Sequence, residues 1–183
     1  MRRVIASLMV VLAMAVAFTG CSNNEITKMD VDPAITIEEV NDSSAQVVRA
    51  FFESLFNGNR EMFEKCFPAE FIAELEEDDI DLFDQYSKAF VVDGEFAGTQ
   101  YINFNELNPE SGYDDWEVFK QNIADVQGVD INKIDSMQIV CIKLYFATGE
   151  ENQYIELYSI AYQMDGSWYM YETQDSDAEF GQE

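Results

Sequence analysis

Two residues, Asp165 and Gly166, constrain this fold more than any other feature of the chain. They stand between two stretches of alternating side chains, 153–164 and 168–173. A two-residue Asp-Gly loop suits a type I′ turn, whose central residues both need positive φ and whose twist matches that of paired strands. The spacing therefore predicts a tight antiparallel hairpin with Tyr162 opposite Tyr169 and Ile160 opposite Tyr171. A third alternating stretch, 137–146, precedes it across the looser loop 147–152. There the register must come from keeping each face chemically consistent. Phe146 opposite Gln153 does this. It sets Leu144 against Ile155, Ile142 against Leu157 and Lys143 against Glu156. The last is an opposite-charge cross-strand pair, worth roughly a few tenths of a kcal/mol.

The three strands then form a meander with two unlike faces. One carries Val140, Ile142, Leu144, Phe146, Ile155, Leu157, Ala161, Trp168 and Met170, and is expected to meet helices. The other carries Ile139, Cys141, Lys143, Glu156 and Ile160 with six of the nine tyrosines. Tyrosine offers a large contact area at low entropy cost and keeps a polar tip. Tyr145, Tyr154, Tyr158, Tyr162, Tyr169 and Tyr171 are therefore the candidate partner-binding residues. The competing reading is a face half covered by the rest of the chain.

Helical periodicity precedes the strands. Val48, Phe51, Phe52 and Leu55 fall at i, i+3, i+4 and i+7, one stripe of a helix. Ser43 and Gln46 resemble its capping box, and Gly58 stops it. Asn59 caps a second helix carrying Met62, Phe63, Cys66 and Phe67, ended by Pro68. The stripe Phe71, Ile72, Leu75 is out of phase with Leu82, Phe83, Tyr86, Phe90. A break is expected at 76–79, with Asp78 or Asp79 as the new cap. A strand is expected over 101–107. A further helix follows, framed by Asp114 and Glu117, with Trp116, Phe119, Ile123 and Val126 as its stripe and Gly128 as its stop.

The first 20 residues differ from the rest. Arg2 and Arg3 precede an uncharged run, 4–19, then Gly20 and Cys21. The run has 16 residues, whereas a spanning helix needs about 20. This is the pattern of a signal peptide with a lipoprotein processing site, with Cys21 as the lipid attachment residue. Phe18 departs from the usual Leu of that site. The expected organisation is a signal peptide over 1–20, lipidated Cys21 and a tether over 21–42, one domain over 43–173, and an acidic tail over 174–183. The expected place is the extracytoplasmic face of a bacterial cell membrane, lipid-anchored.

Charge narrows the partners. The chain has 36 acidic and 10 basic residues and no histidine. Phosphate binding is driven by Lys and Arg, so nucleic acid and polybasic membrane docking are excluded. Ser-His-Asp and Cys-His catalysis lack their imidazole, and so do the usual Cys and His zinc sites. The runs Asp79, Asp81, Asp84 and Asp130, Asn132, Asp135 have calcium-ligand chemistry but not the Gly and Glu spacing of an EF-hand loop. No catalytic residue, metal or cofactor is assigned. Cys66 and Cys141 each sit in an apolar pattern and are expected as free thiols. A cystatin-type loop is matched only partly by 46–50, inside the strongest helix.

The stretch AQVVRAFFESLFNGNREMFEKCF resembles the opening helix pair of nuclear-transport-factor-2-like domains, and YSIAYQMDGSWYMYE resembles their last hairpin. The resemblance implies an α+β fold, with N-terminal helices packed on a curved antiparallel sheet to form a cone. It implies a domain often carried behind a lipidated Cys, whose cone mouth can bind small ligands. With the tyrosine face, the expected role is a binding module for a small molecule, an envelope protein or a second copy in a homodimer. Some members are isomerases or dehydratases. The alternative is therefore a small enzyme using a carboxylate in the cone, with Glu172, expected opposite Ser159, as the one candidate.

Overall fold

In the computed structural model, which describes residues 29–111, 116–149 and 151–175, helices lead and strands follow. Helices α1 (Ser44–Asn57), α2 (Arg60–Lys65), α3 (Ala69–Glu77) and α4 (Leu82–Ala89) precede β1 (Glu95–Glu106). Helix α5 (Trp116–Gln127) comes next, then β2 (Ile134–Thr148), β3 (Glu151–Met164) and β4 (Ser167–Asp175). The strands form one antiparallel sheet in the order β1-β2-β3-β4. The fold is α+β. Residues 1–28, with Cys21, and 176–183 lie outside the described residues, as does Asp114.

The helix ends follow local chemistry. Ser43 Oγ accepts from Gln46 N at 3.2 Å and Asn59 Oδ1 from Met62 N at 3.2 Å, each satisfying an otherwise orphaned first-turn donor. Gly58 closes α1 at φ 69°. The break after α3 differs in detail from expectation. Asp79 adopts φ 57° and Ile80 N donates to Leu75 O at 2.8 Å, closing the helix as a Schellman motif. Asp79 is thus spent on ending α3. Asp81 is the cap of α4, its Oδ1 accepting from Asp84 N at 2.9 Å.

The β2–β3 register is the expected one: Lys143 faces Glu156, Leu144 faces Ile155, Ile142 faces Leu157 and Phe146 faces Gln153. Tyr162 faces Tyr169. One residue further the expectation fails. Tyr171 is the extra residue of a β-bulge, so Ile160 pairs with Glu172, and Ser159 with Thr173. The backbone of Met170 is held from outside, its N–H donating to Cys66 O at 2.8 Å and its carbonyl accepting from Gln127 Nε2 at 3.0 Å. Those anchors fix Met170 on the helix side, and the bulge absorbs the mismatch. The side chain of Glu172 lies outside the described residues.

Every residue of the expected aliphatic face lies in or against the core formed with α1–α4. Phe51, Phe52, Phe63 and Phe146 are fully buried between helices and sheet. Phe51 meets Phe52 edge-on at 4.9 Å and Tyr86 edge-on at 5.1 Å, the geometry that the ring quadrupole favours.

Several boundaries move: β2 spans 134–148 rather than 137–146, β3 begins at 151 rather than 153, and β4 continues to 175, two residues into the expected tail. Strand β1 begins at Glu95, six residues before the expected start, because Gly98 marks a bulge rather than a break. Its φ is +141°, and a Cβ there would lie 2.3 Å from Val31 Cγ1. A strap over 31–40 crosses β1 at this glycine. Residues 31–40, within the span expected as a tether, thus pack against the sheet and helices. Asp32 N donates to Thr99 O at 2.9 Å, and Ile35 and Val40 are buried in the main core.

Candidate functional site

The tyrosine face is divided in two. Helix α5 lies across one half, with Ile123 fully buried and Trp116 and Phe119 packed in the same cluster as Met137, Ile139, Ile160 and Tyr162. Tyr162 has no exposed surface, and its hydroxyl donates to Gln127 Oε1 at 2.6 Å. Burial pushes its acidity far down, so the phenol stays protonated. Tyr162 is thus a core residue, which corrects its place among the partner-binding candidates. Tyr158, Tyr169 and Tyr171 are half-buried beside this second cluster. The helix was foreseen; that it would cross this face was not.

The other half keeps exposed surface among the described residues. Tyr154 is 47% exposed at its centre. Lys143 Nζ stands 4.5 Å from the Tyr154 ring centroid and 3.8 Å from Glu156 Oε2. Tyr145 forms the floor, its ring 6.0 Å from that of Tyr154 and its hydroxyl donating to Gln100 Oε1 at 2.9 Å. Tyr158 donates to Glu156 Oε1 at 3.4 Å. The result is a flat patch of Gln100, Lys143, Tyr154 and Glu156 over Tyr145 and Tyr158, with its charges paired. Such a surface makes hydrogen bonds and ring contacts without first burying a lone charge.

Cys141 lies under this patch, with Sγ 3.5 Å from Glu156 Oε1. Burial, then the Glu156 charge, raises its thiol from the ordinary 9.0 to about 11. Cys66, in the main core on the opposite side of the sheet, is raised by burial too. Both are free thiols, and the sheet separates them. The thiolate is the reactive form, so both should resist Ellman's reagent at pH 8 and react fully in urea. Rapid native-state labelling of Cys141 would contradict its place under the patch. Because its folded value is raised, Cys141 supports the fold fully below pH 9 and loses that support as pH rises through about 11.

A second polar cluster escaped the sequence reading. Arg49 and Glu53, on successive turns of α1, are 7% and 5% exposed. Arg49 Nη2 lies 3.1 Å from Glu53 Oε1 and donates to Pro33 O at 2.6 Å, while Nε donates to Thr99 Oγ1 at 2.8 Å. Thr99 Oγ1 donates to Glu53 Oε1 at 2.6 Å, and Ile35 N to Glu53 Oε2 at 2.9 Å. This pair holds the strap to the helix and to β1. Its one sequence signal is the Arg-Glu spacing of four inside the most apolar helix.

The acidic runs weighed as calcium ligands are used locally. Asp81 forms a bidentate pair with Arg60 at 2.9 Å, and Asp130 Oδ1 accepts from Asn132 N at 2.9 Å. Among the described residues no helix is long and apolar enough to cross a membrane. No protein-family model, no curated protein and no solved structure matches the chain.

Proposed function

We propose that this protein is a lipoprotein, held through Cys21 at the extracytoplasmic face of a bacterial membrane. Its nuclear-transport-factor-2-like cone domain serves there as a protein-binding module. The observation that carries the reading is where the molecule keeps its free surface. The space between helices and sheet is filled by Phe51, Phe52, Phe63 and Phe146. The outer face of the sheet, beyond the reach of α5, instead presents Tyr154, Lys143 and Glu156 to solvent. A filled cone favours contact with a macromolecule over capture of a small ligand.

The enzyme alternative needs a carboxylate with room for substrate. Glu53 is a buried carboxylate in this fold, but Arg49 and Thr99 engage one of its oxygens and Ile35 N the other. Both of its oxygens are engaged in holding the strap and β1 to α1.

Two experiments test the proposal. Labelled palmitate should enter the full-length protein and not Cys21→Ser, and that variant should leave the membrane fraction; equal labelling would remove the anchor. In-cell cross-linking should give adducts that Tyr154→Glu abolishes while its circular dichroism is unchanged. Adducts that survive Tyr154→Glu would remove the patch.

A further inference from the structure

The strap fixes where the chain leaves the domain, and that point borders the open patch. Gln100 Nε2 donates to Asp30 Oδ2 at 3.4 Å, and Gln100 Oε1 accepts from Tyr145 OH at 2.9 Å. Two residues on, Asp32 is bonded to Thr99, and the strap beyond it is bonded to Arg49 and Glu53. The exit is therefore built into the sheet edge. Nine peptide units separate Cys21 from Asp30, so the leash spans at most about 30 Å. A domain of about 145 residues has a radius of gyration of about 15 Å and a width of about 40 Å. A leash shorter than the domain is wide keeps the exit side towards the anchor.

Charge acts in the same direction. Helix α3 and the turn after it expose Glu70, Glu74, Glu76, Glu77, Asp78 and Asp79 on the helix side of the sheet. The patch beside the exit instead pairs Lys143 with Glu156. An anionic bilayer repels the first surface and tolerates the second.

We propose that the open half of the sheet faces the bilayer and docks the extracytoplasmic surface of an integral membrane protein. This rests on the anchoring of Cys21. The bilayer itself is a poor occupant, because Lys143, the cation of the patch, is already held by Glu156 and the Tyr154 ring. The occupant is a protein surface that supplies hydrogen-bond partners and ring contacts at the height of the headgroups.

The test uses full-length lipidated protein in phosphatidylcholine vesicles carrying a headgroup-labelled acceptor lipid. A donor dye is placed on Tyr154→Cys or on Glu77→Cys; the buried Cys66 and Cys141 stay unlabelled. Transfer should be severalfold greater from position 154. Inserting about 20 Gly and Ser residues before Asp30 adds up to about 70 Å of reach and should level the two. Equal transfer on the short leash overturns the orientation and leaves the anchor intact. No transfer from either site shows that the anchor is absent, and the proposal falls with it. Transfer from 154 that persists in unlipidated Cys21→Ser protein, which has no leash to hold it at the vesicle, makes the bilayer the occupant and overturns the assignment to a protein. In cells, a photocross-linker at 154 should give an adduct that stays in the membrane after the leash is cut at an inserted protease site. An adduct of twice the protein's own mass makes the occupant a second copy and overturns the assignment.

Discussion

Glu53→Ala should lower the folding free energy by about 3–5 kcal/mol, the usual cost of leaving a buried charge without its partner. Three groups lose their acceptor at once: the Arg49 guanidinium, the Thr99 hydroxyl and the Ile35 N–H. Arg49 and Glu53 are both almost wholly buried, so water cannot replace what is removed. Asp32, 3.9 Å from Arg49 Nε and partly exposed, compensates only weakly. Against a typical total stability of about 5–15 kcal/mol, the variant should unfold at a far lower urea concentration. Arg49→Met combined with Glu53→Leu should recover most of the loss, because an apolar pair of similar volume is often neutral relative to a buried ion pair. The strap separates the two variants further. In the double variant Ile35 N–H still lacks its acceptor, so its amide should exchange faster than in the parent even where global stability returns. A Glu53→Ala protein within about 1 kcal/mol of the parent would show that the pair is incidental to the fold.

This cluster also marks where sequence reading stops. Periodicity places Val48, Phe51, Phe52 and Leu55 on the buried stripe of α1, and they are buried. It implies equally that Arg49 and Glu53 face water. That inference assumes one neighbour on one side. Helix α1 has the sheet on one side and the strap on another, and only chain brought from 31–40 closes the second. The strap has no periodicity of its own, since Ile35 and Val40 are its two core residues. The same cause shortened the expected β1. Gly98 looks like a breaker along the chain, yet it is needed because another segment crosses at that point.

The hairpins, by contrast, were legible because their constraints are local. Asp165 at φ 52° and Gly166 at φ 82° form the two-residue turn. Lys143 opposite Glu156 then settles which side chains share a face. Local rules could not say which face α5 would cover, because the sequence between β1 and α5 carries no directional signal. They also could not foresee the bulge at Tyr171, which answers to Cys66 and Gln127 from elements far away in sequence.

The two halves of the tyrosine face should therefore answer the same substitution in opposite ways. Tyr162→Glu places a carboxylate among Ile123, Ile139 and Ile160, leaves Gln127 Oε1 without its donor, and brings no cation with it. An unpaired charge in such surroundings costs several kcal/mol. The variant should be largely unfolded at 25 °C, or fold only at low pH, where the new carboxyl is neutral. The sign follows from burial, which raises the folded carboxyl above its unfolded value, so stability is lost as pH rises. Tyr154→Glu sits at a position 47% exposed, beside Lys143. It exchanges a cation–π contact for an ion pair, and surface ion pairs are worth about 0–1 kcal/mol. Its stability should stay within about 1 kcal/mol of the parent, while partner cross-linking is lost. Circular dichroism across pH 4–8 and urea melts on both variants distinguish the cases. A folded, cooperative Tyr162→Glu at pH 8 would mean that α5 does not seal this half of the sheet. The candidate surface would then extend under the helix to Tyr169 and Tyr171.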